Sequence, residues 1–157
     1  MSHTYHVRLA KEQFTFSAAH FITFAGNICE RLHGHNYHVA VEVHGPLDDN
    51  QYVIDFIALR DAVLAITREL DHHVLLPTTH PTIKVESDDR EVAVTFEERR
   101  WMFPLDDCVL LPVANTTAEL VARYIGERLI QGMQPKPEKL IVSVDECDGQ
   151  QGVCEIA

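Results

Sequence analysis

The sequence predicts an α+β domain in which two helices pack on one side of an antiparallel sheet. Two observations carry this. Segments of alternating apolar and polar residues lie towards both ends of the chain, and two segments of three-and-four apolar spacing lie between them. The resulting order, β-β-α-(hairpin)-α-β-β, segregates the helices to one face of the sheet. With 157 residues, 46% of them hydrophobic, the chain suits a single domain over residues 1–157.

The first strand covers about residues 5–20 and is long enough to be bent or bulged. Side chains alternate along a strand, so Phe14, Phe16, Ala18 and His20 share a face. Gly26-Asn27 signals a turn in the loop that follows. The second strand spans about 33–45 and stops at Gly45-Pro46. Its inner face runs from His33, His35 and Tyr37 onto Val39, Val41 and Val43. A helix follows from Asp55, its expected N-cap, to Leu70, with Phe56, Leu59, Val63, Ile66 and Leu70 on one stripe. Between the helices, Thr82–Glu86 and Glu91–Phe96 predict an inserted β-hairpin around Ser87-Asp88-Asp89-Arg90, within an insertion of about 78–112. Trp101-Met102-Phe103-Pro104 is an apolar patch that must be buried. The second helix runs from Thr117 to Gln131, capped by Thr116 or Thr117 and ended by Gly132. Strand Lys139–Glu146 has Leu140, Val142, Val144 and Glu146 on one face, and Val153–Ile156 closes the sheet as its fourth strand.

A net charge of −11 argues against nonspecific binding to nucleic acid or anionic membranes, which needs basic patches. No apolar run approaches the roughly 20 residues of a membrane span. The first residues lack a charged start followed by an apolar run, so a cytoplasmic protein is expected. None of the four cysteines forms a C-x-x-C pair, and no disulfide is expected, although Cys147 and Cys154 flank a turn.

Both of the first two strands have an apolar inner face that turns to imidazole at one end. If they pair as a hairpin, His20, His33 and His35 meet beside the connecting loop. Three imidazoles with a fourth position open are the ligand set of a catalytic zinc site. The plainer alternative is three exposed or hydrogen-bonded strand histidines. His3, His6, His38, His44 and His80 fall outside the pattern and are expected at the surface.

Cys29 lies in that loop, four residues before His33. A thiol beside a cation can act as base or nucleophile. It can equally be a fourth ligand that closes the site, or an inert loop cysteine. Asp71-His72 ends the first helix, either as an oriented proton-relay pair or as helix-end residues placed by the dipole. Glu146, at the end of an inner face, either needs donors, which a planar ligand with two N–H groups would supply, or is a strand-end glutamate turned to solvent. Glu119 reads most simply as a first-turn helix acid.

Together these segments resemble the 6-pyruvoyltetrahydropterin and 6-carboxytetrahydropterin synthase family. The likeness runs in order through Phe16-Ser17-Ala18-Ala19-His20, Cys29-Glu30-Arg31-Leu32-His33-Gly34-His35-Asn36-Tyr37, Leu70-Asp71-His72, Thr116-Thr117-Ala118-Glu119 and Val144-Asp145-Glu146. The segment from Pro77 to Pro112 is longer than in a typical member and lies outside the resemblance. The three residues between Cys29 and His33 resemble the 6-carboxy branch, which feeds queuosine and other 7-deazapurines. The resemblance implies a tunnelling fold whose four-stranded sheets close into a barrel, in a hexamer of two trimers with sites between subunits. It implies 7,8-dihydroneopterin triphosphate as substrate, and 6-carboxy-5,6,7,8-tetrahydropterin, acetaldehyde and triphosphate as products. His20, His33 and His35 would hold Zn²⁺. Cys29 would move protons on the substrate side chain, relayed by Asp71 and His72 of a neighbouring subunit. Glu146 would anchor the pterin, with Glu119 and Thr117 completing the pocket. Arg31, Arg8 and Lys11 are candidates for the triphosphate. A 6-pyruvoyl synthase, a non-catalytic pterin-binding homologue and a structural zinc module closed by Cys29 are the alternatives.

Overall fold

The computed structural model describes residues 2–157. Its elements are β1 (His6–Leu9), β2 (Thr15–His20), β3 (Thr23–Phe24), β4 (Ile28–Cys29), β5 (His33–His44), α1 (Phe56–Leu70), β6 (His73–Pro77), β7 (Lys84–Ser87), β8 (Glu91–Phe96), β9 (Arg99–Pro104), β10 (Cys108–Leu111), α2 (Ala118–Gly132), β11 (Lys139–Cys147) and β12 (Gln150–Ile156). Among the described residues, no helix is long and apolar enough to cross a membrane.

The expected α+β layering is present, but the main sheet has seven strands rather than four. Its order is β10-β6-β2-β5-β11-β12, with β1 also paired to β5. The long first strand is broken at residues 10–14 into β1 and β2, which pair with successive halves of β5. The two further strands, β6 and β10, were not legible because they do not alternate. Both are short apolar runs, as strands buried on both faces are. Leu75 in β6 and Leu111 in β10 face the core under the helices, whereas Leu76 and Leu110 face a second core.

That second core belongs to the insertion, which is a three-stranded sheet, β7-β8-β9, rather than a hairpin. The apolar patch at 101–104 lies in its third strand. Trp101 and Phe103 pack inward with Val92, Val94 and Phe96, and the intervening Met102 is exposed. Trp101 stacks on Phe21, ring centroids 4.5 Å apart. The insertion therefore clamps the loop that carries Cys29.

Asp55 caps α1 as expected, accepting from Ile57 N at 2.7 Å and Ala58 N at 3.4 Å. At α2, Thr117 holds the cap position without a side-chain bond. Thr116 is buried, and its hydroxyl donates to the Phe21 carbonyl at 3.3 Å. The cysteines are free: register sets Cys154 opposite Val142, and Cys147 opposite Gln150.

His80, expected at the surface, is buried. Its Nδ1 accepts from Thr82 N at 3.0 Å and Ile83 N at 2.9 Å, and Nε2–H donates to the Thr23 hydroxyl at 2.7 Å. The ring is thus held neutral, and burial lowers its pKa. A histidine whose folded pKa is depressed binds protons more readily in the unfolded chain. Its contribution is complete above the unfolded value of about 6.5 and is lost as pH falls below it. Urea denaturation across pH 7.5–5 should show a shallower loss of stability for His80→Asn than for the parent chain; equal slopes would refute this role for His80.

Candidate active site

The β2–β5 pairing sets His20 directly opposite His33, and Ala18 opposite His35. The three rings meet in pairs 4.8–5.2 Å apart, steeply inclined to one another. One nitrogen from each lies within 4.8 Å of the other two, and Cys29 is not part of that group.

Hydrogen bonds define two of the tautomers. A carbonyl only accepts, so His20 Nδ1–H donates to Thr116 O and His33 Nδ1–H to Arg31 O, each at 2.8 Å. This leaves their Nε2 lone pairs free, which is the arrangement of metal-ligating histidines whose other ring nitrogen is bonded to a carbonyl. Nε2 of His20 and of His35 is buried with no hydrogen-bond partner among the described residues. Burial, reinforced by the neighbouring His33 and His35 and opposed by the Thr116 bond, holds His20 down to about 4.

Glu146 is aimed at the same point. A bulge between Asp145 and Cys147 interrupts the β11–β12 register there, and bulges re-aim side chains. Glu146 Oε1 comes within 3.2 Å of His20 Nε2 and 3.8 Å of His35 Nε2, with hydrogen-bond geometry to neither. A carboxylate oxygen facing an imidazole lone pair brings two acceptors together without a proton, a costly arrangement in a buried place. A cation among them relieves it. A donor set of three imidazoles fits Zn²⁺.

Glu146 also lines a cavity of about 290 Å³ with Thr117, Glu119, Ile22 and Gln151. Gly152 completes its wall, and a Cβ there would run into the backbone of Ala118 and Glu119. The absence of a side chain lets the start of α2 sit against β12. The three residues expected around a bound pterin thus share one cavity, and one of them reaches the histidines.

Asp71 and His72 form a hydrogen-bonded pair, Nδ1 to Oδ2 at 2.8 Å, and Asp71 Oδ1 accepts from Ser17 N at 2.8 Å. Burial raises the Asp71 pKa, but these bonds outweigh it and the net shift is downward. His72 borders a different cavity, of about 530 Å³, together with Ser17, His35, Asn36 and Asp107. His72 is 81% exposed there. Cys29 lines neither cavity. Its side chain packs against the second core, and its Sγ–H donates to Glu30 O at 3.5 Å. Burial pushes the thiol up, while the nearby Arg99, which donates to Cys29 O at 2.9 Å, pulls it down. Within one chain, the thiol and the Asp-His pair are not brought together.

Sequence reasoning gave Glu30 no role, yet its Oε2 lies 3.9 Å from His33 Nε2 and accepts from Ile22 N at 3.2 Å. Strand alternation held the signal: adjacent residues point to opposite faces, so a Cys29 turned to the apolar core turns Glu30 to the histidines. Of the cations suggested for a triphosphate, Arg31 is exposed beside His33. Arg8 lies across from Glu42, towards the other end of β5.

The model of the 6-pyruvoyl tetrahydropterin synthase family matches residues 8–155. The chain belongs to this family. Segment 77–112, expected outside the resemblance, lies within the matched residues. A relative from Methanocaldococcus jannaschii named as a 6-carboxy-5,6,7,8-tetrahydropterin synthase is 34% identical over 144 residues, covering 88% of this chain and 87% of the relative. The solved 6-pyruvoyl tetrahydropterin synthase of Plasmodium falciparum superposes with a TM-score of 0.91 at 31% identity, covering 99% of both chains. A Plasmodium vivax 6-pyruvoyltetrahydropterin synthase superposes with a TM-score of 0.90 at 28% identity and 99% coverage of both; it is a variant in which a catalytic glutamate is replaced by alanine. The sheet β7-β8-β9 is thus part of a pterin synthase architecture. This chain is a lyase-type member of a pterin synthase family.

Proposed function

We propose that the protein is a zinc-dependent lyase that converts 7,8-dihydroneopterin triphosphate to 6-carboxy-5,6,7,8-tetrahydropterin, acetaldehyde and triphosphate, a reaction supplying queuosine and related 7-deazapurines. The observation that carries this is the facing of histidine lone pairs and the Glu146 carboxylate at the edge of the 290 Å³ cavity. The name of the M. jannaschii relative and the spacing from Cys29 to His33 favour the 6-carboxy branch.

In this reading Glu146 accepts the amino and ring N–H groups of the pterin, with Glu119 and Thr117 around it. The carboxylate fixes the ring beside the triad, so the substrate side chain projects over the histidines. Zinc, when bound, supplies Lewis-acid polarisation of a side-chain oxygen. Arg31, exposed beside His33, is the candidate cation for the phosphates. Glu146→Gln should raise KM about ten-fold or more while zinc content stays unchanged, since one charge-assisted hydrogen bond contributes roughly 1.5–3 kcal/mol. Loss of zinc in that variant would show Glu146 to be a ligand instead.

Cys29 moves the side-chain proton, and Asp71-His72 reaches it from a second copy. The separation of the pair from Cys29 within one chain supports an assembled site in a trimer-based homo-oligomer, and with it a hexamer. Mixing Cys29→Ala with His72→Ala chains should then restore a fraction of the activity that each lacks alone; no recovery in mixed oligomers would sink the shared site. A second reading gives the proton transfer to Glu30, favoured by its 3.9 Å approach to His33 and by the catalytic glutamate of the P. vivax protein. Whichever of Cys29→Ala and Glu30→Gln loses about 10²–10⁴-fold in kcat, with zinc retained, identifies the group.

The deciding experiment is product analysis by mass after zinc-loaded protein is incubated with the triphosphate. Carboxypterin with acetaldehyde supports the proposal, a pyruvoyl product moves it to the other branch, and bound but unconverted pterin ends it.

A further inference from the structure

A second group of metal-type donors lies far from the triad and plays no part in the proposed reaction. His6 on β1 and His44 on β5 are direct cross-strand partners, and their rings stack 4.8 Å apart. Glu42 precedes His44 by two residues and so shares its face. One donor atom from each of the three lies within 4.8 Å of the others. Val7, Val41 and Val43 point the other way, into the core under the helices. The trio therefore stands on the sheet face that the helices leave uncovered. His44 lies nine positions along β5 from His35, roughly 30 Å along an extended strand.

The neighbouring charges leave the trio available to a cation. Among the described residues, His44 is the only ion-pair partner of Glu42, Nε2 to Oε1 at 2.6 Å. Arg8, opposite Glu42 in register, makes no ion pair with it. Lys139, opposite His44 on β11, is drawn away to Glu155 at 3.6 Å. Two imidazoles and a carboxylate are ligands for a borderline divalent ion, whereas calcium and magnesium need oxygen shells.

We propose that His6, Glu42 and His44 form a second metal site, taking a divalent transition ion such as Zn²⁺ or Ni²⁺. The metal takes the place of the proton now shared by His44 and Glu42, and the cross-strand register holds the third ligand ready. The site links β1 to β5 at the end of the sheet remote from the catalytic triad.

The full-length protein, stripped with chelator, is titrated with Zn²⁺ and separately with Ni²⁺, and bound metal per chain is measured after equilibrium dialysis. The readout is the difference between the parent chain and His6→Ala or His44→Ala, with circular dichroism to establish folding. Each variant should bind one equivalent fewer, or bind it at least about ten-fold more weakly, as metal sites respond to lost partners. His3→Ala should bind as the parent does. His33→Ala should keep the second equivalent even where it loses the first, so this outcome is independent of the triad's chemistry. Equal stoichiometry and affinity in the parent, His6→Ala and His44→Ala chains would overturn the site. Metal loss in the His3 variant would do so equally, by moving the ligands to the N-terminal segment.

Discussion

His33→Ala is expected to leave a folded protein that no longer retains zinc and turns over at least about a thousand-fold more slowly. Metal polarisation contributes several kcal/mol to a barrier, and each 1.4 kcal/mol is a factor of ten in rate. His33 is the cleanest of the three positions to change. Its side chain is 38% exposed at a strand end, and among the described residues it hydrogen-bonds only to the nearby Arg31 carbonyl. His20→Ala confounds the result, because it empties a buried site and leaves the Thr116 carbonyl without its donor, costing about 1–3 kcal/mol. Metal analysis and product formation on the same preparation separate the two effects. Full activity in a zinc-free His33→Ala protein would contradict the zinc-dependent reading.

Phe21→Ala is expected to produce the largest loss of stability, about 3–4 kcal/mol, the usual cost of emptying a buried aromatic site. Phe21 is 1% exposed, stacks on Trp101 and directly follows His20. It also anchors the start of α2, because its carbonyl accepts the Thr116 hydroxyl. The substitution thus loosens the insertion, the Cys29 loop and the wall of the Glu146 cavity together. Trp101 is the only tryptophan, so its fluorescence during urea denaturation reports the insertion directly. A loss under 1 kcal/mol with an unchanged emission maximum would mean that the second core does not support the site. Trp101→Ala should cost less, about 2 kcal/mol, since that ring is already partly exposed.

The two halves of the site differed in how legible they were. The alternation of Phe14, Phe16, Ala18 and His20, and of His33, His35, Tyr37 and Val39, determined a shared inner face before any pairing was known. The observed register, with His20 opposite His33, closes the triad on that face. The helices were equally legible, because a stripe such as Leu59, Val63, Ile66 and Leu70 is a local periodic signal. Strands β6 and β10 had none. Each is buried on both faces between two cores, so neither shows alternation to mark it.

By itself, the sequence determined which face of their strands His20, His33 and His35 occupy, because side-chain direction follows from chain geometry alone. Only the tertiary structure decided what those side chains meet. It turned Cys29 into an apolar core and Glu30 towards His33, through an insertion that packs against their loop. It aimed Glu146 at His20 through a bulge, and buried His80 among backbone donors. It set His72 beside a separate cavity. These outcomes depend on contacts between segments distant along the chain, and no local pattern of residues encodes such contacts.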